Sequence, residues 1–147
     1  MAVASTLTIP NILIDSISIE VGDEGLFYYT LYSVSKIDGQ WMYFGWNEVR
    51  STLDVVNLDD LKYEKSIYFL NDGPNGVADV RGLHVINYDS ILFMSTQKLT
   101  LMNSDAALVR KWGINDKNEF EGFDNSKYVI TTEEAFNILY DANKKKL

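Results

Sequence analysis

Residues 26–46 read LFYYTLYSVSKIDGQWMYFGW, and the fold turns on the Asp38-Gly39 pair inside them. Asp-Gly between two runs rich in aromatic and β-branched residues is the strongest short-range hairpin signal, because a type I′ turn needs positive φ at both central positions. The expected strands are 26–37 and 40–46, with Ile37 facing Gln40. That register puts Ser35/Met42, Ser33/Phe44 and Leu31/Trp46 on one face. The other face receives Lys36/Trp41, Val34/Tyr43 and Tyr32/Gly45. Both faces carry aromatics, so simple hydrophobic-in, polar-out alternation fails. The Leu31, Phe44 and Trp46 face reads as core. The Tyr32, Trp41 and Tyr43 face is the candidate surface for a partner, since aromatics with polar tips are enriched at interfaces. A helix covering that second face is the alternative, because domains are built in packed layers.

Outward from the hairpin, Ile17, Ile19 and Val21 alternate with Ser16, Ser18 and Glu20 as in a half-buried strand. Residues 66–70 read as a strand. The segment 71–76, Asn-Asp-Gly-Pro-Asn-Gly, packs three turn dipeptides into six residues. Residues 83–94 form one strand or two, with 87–90 as a turn. Helical signals come late. Ser104-Asp105 can cap a helix over 105–112 that stops at Gly113. Thr131-Thr132-Glu133-Glu134 is a capping box for a helix over 132–144, with Phe136, Leu139 and Tyr140 as its apolar stripe. The expected class is therefore α+β, a mainly antiparallel sheet with two late helices packed on it, in one domain spanning 1–147.

The residue inventory narrows the chemistry. There is no cysteine and one histidine, His84, which excludes thiolate nucleophiles, thiolate metal sites, disulfides and any two-histidine metal site. No cofactor or metal is expected. The Gly73-Pro74-Asn75-Gly76 loop lacks the lysine and hydroxyl of a phosphate cradle. The run 116–124 resembles a calcium loop but carries Glu121 where glycine belongs and Lys127 where the bidentate glutamate belongs. Adjacent carboxylates such as Asp59/Asp60 diverge in regular structure and make no catalytic dyad. A hydrolase working through distant carboxylates and His84 is one alternative function, with Asp79 and Arg81 as nearby charges.

Net charge is −8, from 21 acidic and 13 basic residues. That field disfavours phosphate backbones and favours a basic protein partner. No run is long enough to span a bilayer, the N-terminus lacks a basic region and a sustained apolar stretch, and a cysteine-free chain suits the cytoplasm. Trp112, Phe120 and Phe123 interleave with Asp116, Glu119, Glu121 and Asp124, an acidic-aromatic stretch suited to a basic surface. The functional expectation is a non-enzymatic protein-binding domain, most concretely an inhibitor or immunity protein that neutralises a basic toxin or nuclease. A structural component of a phage particle or similar assembly is the other alternative.

Overall fold

The computed structural model describes residues 18–21, 28–113, 128–131 and 137–140, the last two segments as backbone. Two antiparallel sheets follow one another along the chain. Sheet 1 is β1 (Leu31–Ile37), β2 (Gln40–Asn47), β3 (Thr52–Asn57) and β4 (Lys62–Tyr68), in that spatial order. Sheet 2 is β5 (Gly82–Asn87), β6 (Ser90–Met94), β7 (Lys98–Met102) and β8 (Leu108–Gly113), again in sequence order. A two-stranded hairpin, β9 (Tyr128–Thr131) with β10 (Asn137–Tyr140), lies with β10 against β5.

The β1–β2 hairpin has the register that the Asp-Gly turn dictates, from Ile37↔Gln40 to Leu31↔Trp46. Asp38 and Gly39 both take positive φ, 51° and 87°. Residues 83–94 are two strands joined by a tight turn. Residues 18–21, read as part of a strand, carry no regular secondary structure.

The α+β expectation is wrong: the fold is all-β, and the described residues contain no helix. The first expected helix, 105–112, is largely β8, which pairs with β7 through Leu99↔Trp112, Thr100↔Lys111 and Leu101↔Arg110. Leu108 and Trp112 are four apart, a spacing that fits a helical stripe and also one face of a strand. The turn before β8 decides between them. The Asn103 side-chain oxygen accepts from the backbone N–H of Asp105 (3.1 Å) and of Ala107 (2.9 Å), and Ala106 sits at φ 56°. Asn103 thus organises a turn where Ser104-Asp105 had been read as a helix cap. The second expected helix, 132–144, contains β10, which pairs Asn137↔Thr131 through Tyr140↔Tyr128. The capping box ends its first residue in β9; Glu133, Glu134 and Phe136 lie outside the described residues.

The core lies between the two sheets. Phe44, Trp46, Leu53 and Val55 of sheet 1 pack with Val85, Ile91, Phe93 and Met102 of sheet 2, all at 2% exposure or less. Trp46 meets Phe93 edge-on at 5.2 Å between centroids, and Phe69 meets Phe93 at 4.9 Å, geometries that favour aromatic pairs. The first strands of the two sheets are tied directly. The Val85 N–H donates to Ser33 Oγ at 3.1 Å, and the Ser35 hydroxyl donates to the Val85 carbonyl. These serines lie on the core face of β1, where an unbonded hydroxyl would cost free energy.

Candidate functional site

The two sheets differ in what covers their outer faces. In sheet 2, the face away from sheet 1 carries Leu92, Met94 and Leu99, each at 1% exposure or less. In sheet 1, the corresponding face carries Tyr32 at 68%, Trp41 at 48% and Val34 at 44% exposure. Tyr43 is half-buried beside them. Tyr32 stacks on Tyr43 with centroids 5.8 Å apart and planes 15° apart, and the Lys36 ammonium lies 5.8 Å from the Trp41 ring centre. Three of the residues singled out from sequence, Tyr32, Trp41 and Tyr43, therefore form one continuous aromatic patch.

This patch is flanked on the same face by a polar cluster that sequence reasoning missed. Asp54 on β3 is fully buried, with 0% exposure. Its carboxylate accepts from the Tyr29 hydroxyl at 2.9 Å and from the Ser66 hydroxyl, while the Tyr63 and Ser66 hydroxyls lie 2.7 Å apart. A buried carboxylate is tolerable only with such donors. Burial, and then the bond to Asp54, push the Tyr29 phenol well above its ordinary value of 10.0. Burial also raises Tyr43, with the Tyr32 hydroxyl adding to it. Tyr29 reaches Asp54 by lying flat over Gly45, where a Cβ would stand 2.6 Å from the ring, and it meets Tyr43 edge-on at 5.9 Å. The glycine at 45 is there because a ring occupies the space of a side chain. The signal in the sequence was Asp54 itself, a charge inside the run Thr-Leu-Asp-Val-Val.

The other expected site residues do not join the patch. Trp112 lies on β8 opposite Leu99, so it belongs to the far face of sheet 2; it is 9% exposed, and the Arg110 guanidinium lies 5.1 Å from its ring centre. Asp116, Glu119, Phe120, Glu121, Phe123 and Asp124 lie outside the described residues. His84 sits mid-β5 opposite Leu92, half-buried, and burial lowers its pKa from 6.5. The charges expected to serve it are engaged with each other: Arg81 bridges Asp79 at 2.6 Å, and Thr96 donates to the same carboxylate at 3.0 Å. The Gly73–Gly76 loop is pinned by lysines on its carbonyls, Lys98 to Gly76 at 3.0 Å and Lys111 to Pro74. Among the described residues no three His, Cys, Asp or Glu side chains are grouped to hold a metal, and no helix is long and apolar enough to cross a membrane.

Comparison with known proteins places the chain in a family. Residues 10–145 match the family model described as a domain of unknown function, DUF4221. The chain belongs to the DUF4221 family. A crystal structure of a DUF4221 member from Bacteroides vulgatus is similar to it with a TM-score of 0.59 and 16% identity, over 76% of this chain. The match covers 34% of that protein, so the chain corresponds to about a third of its solved relative. No curated protein matches. The expectation of an inhibitor or immunity protein finds no support in the family or in the similar structure, and the described residues of both expected helices contain strands and no helix; that reading does not stand.

Proposed function

We propose that this DUF4221 domain is a non-enzymatic binding module that works by stacking sheets, and that the aromatic face of sheet 1 receives a further antiparallel sheet of protein. One observation carries the reading: sheet 2 has both faces buried, whereas the outer face of sheet 1, buried at Asp54 and Val56 on β3, leaves Tyr32, Val34 and Trp41 exposed along β1 and β2. Consecutive four-stranded meanders, packed face to face along their first strands, are the arrangement of successive blades in a β-propeller. In such a stack every blade is covered on both sides, and the solved family member is long enough to supply further layers. A rigid aromatic cluster flanked by less energetic contacts is also what binding hot spots look like. A partner sheet with a basic rim would complement the charge of −8.

The test places a photo-crosslinking residue at position 41 and, as a control, at Val109, which is 54% exposed on the edge strand of sheet 2. The expected result is a protein adduct from position 41 and none from 109, with the crosslinked peptide mapping to a β-strand of the partner. Equal labelling at the two positions, or none at 41, would overturn the reading.

A further inference from the structure

The joint between the sheets opens at one end, where three turns meet: Asp38-Gly39, the 58–61 turn, and Tyr88-Asp89. A cavity of about 380 Å³ lies there, within the size range of small-ligand sites. Its floor is apolar, from Ile37 and Met42 at the end of the core.

The walls are polar and held in place by other bonds. Asn57 accepts at its side-chain oxygen from the N–H of Asp59 and of Asp60, both at 3.0 Å, and its amide donates to the Asp60 carboxylate at 3.1 Å. That fixes the turn on one side before any ligand arrives, which lowers the ordering cost of binding. A β-bulge between Val55 and Val56 sets the register of β4, so that the consecutive residues Glu64 and Lys65 both line the cavity. In a regular strand they would point to opposite faces, and bulges commonly re-aim side chains beside functional sites.

The charges there are of both signs and do not neutralise each other. Lys65 makes its contact with the Tyr88 ring, 4.9 Å from the centroid, instead of with a carboxylate. Glu64 reaches only Lys62, at 4.0 Å on the exposed side of the strand. Asp38 projects from the hairpin turn on the other wall. Tyr88, reaching across the joint from sheet 2, has its phenol raised by burial and then by Glu64 and Asp38, which places both carboxylates near its hydroxyl. We propose that this cleft binds a small zwitterion, its ammonium group held between Asp38 and Glu64 and its anionic group on Lys65. The site is separate from the aromatic face and does not depend on what covers that face.

The probe is glycylglycine, added to the full chain and followed by amide chemical shifts. Methylamine and N-acetylglycine supply the cationic and anionic halves alone. Glycylglycine is expected to shift the amides of Gly39, Glu64, Lys65 and Tyr88, while neither half does so at the same concentration. Glu64→Gln and Lys65→Met each remove one charge-assisted contact and are expected to weaken binding about tenfold or more. Both side chains are exposed, so the variants should fold. Absence of shifts with glycylglycine would overturn the proposal. So would equal shifts with methylamine, which would mark a plain acidic patch, or unchanged affinity in Lys65→Met.

Discussion

Replacing Gly45 by alanine tests whether Tyr29 and Asp54 brace the outer face of sheet 1. The added Cβ would fall 2.6–2.7 Å from three ring atoms of Tyr29, below the 3.0 Å that real Cβ contacts essentially never breach. The ring then either stays, strained, or swings away. If it stays, overpacking costs about 1–3 kcal/mol. If it swings, the fully buried Asp54 loses its bond from Tyr29, and a hydrogen bond to a charged group is worth about 1.5–3 kcal/mol. Alanine returns about 0.5–1 kcal/mol in a strand by restricting the unfolded chain. With that return subtracted, a net loss of up to about 2.5 kcal/mol is expected from either route alone, a large share of a typical stability of about 5–15 kcal/mol. The assay is urea unfolding of a double-mutant cycle with Tyr29→Ala, in which the alanine at 45 meets open space and its cost should vanish or turn into a small gain. If Gly45→Ala costs the same with and without the Tyr29 ring, the bracing argument is refuted.

Three further outcomes are expected. Leu61 holds φ at 53° while 43% exposed, so Leu61→Gly should relieve left-handed strain of about 1 kcal/mol, which offsets the roughly 0.5–1 kcal/mol that glycine's freedom in the unfolded chain costs, and the urea midpoint should not fall. His84 has its folded-state pKa lowered from 6.5 by burial, so it contributes stability above pH 6.5 that is lost as pH falls through the folded value. The drop in urea midpoint between about pH 7.5 and 5.5 should accordingly shrink in His84→Gln, and an unchanged drop would count against it. With the photo-crosslinking residue moved to the comparably exposed position 34, Trp41→Ser removes a half-exposed ring and should cost no more than about 1 kcal/mol of stability while weakening the crosslinking seen when the ring is present.

The parts of the fold that were legible in the sequence are those written in local chemistry. Asp38-Gly39 announces its own turn, and with the turn comes the register of β1 on β2 and the aromatic composition of each face. The late helices were misread because Leu108 and Trp112 suit both periods, and the arbiter is a turn organised by Asn103. The stacking of the sheets was hidden, because its polar ties join Ser33 and Ser35 to Val85 across 52 and 50 residues. So was the bracing of the patch: Asp54 finds its phenol 25 residues upstream, and nothing in the run around it says which hydroxyl will come. Within the patch, Tyr32, Trp41 and Tyr43 were found because strand alternation reports a shared face. Trp112 was grouped with them by composition, which carries no such geometric information.

The order of strands within each sheet has a kinetic consequence. Every pairing inside a sheet joins neighbours in the chain, so each sheet has low contact order and should form quickly once its four strands are available. During synthesis sheet 1 is complete before β5 emerges, and until then Phe44 and Trp46 present their rings to water with no Phe93 to meet them. Exposed apolar surface on a half-finished product is where aggregation starts. The interval between β4 and β6 is thus the vulnerable stretch of biogenesis, and slowing translation across residues 69–93 should lower the soluble yield more than the same delay placed within β1–β4.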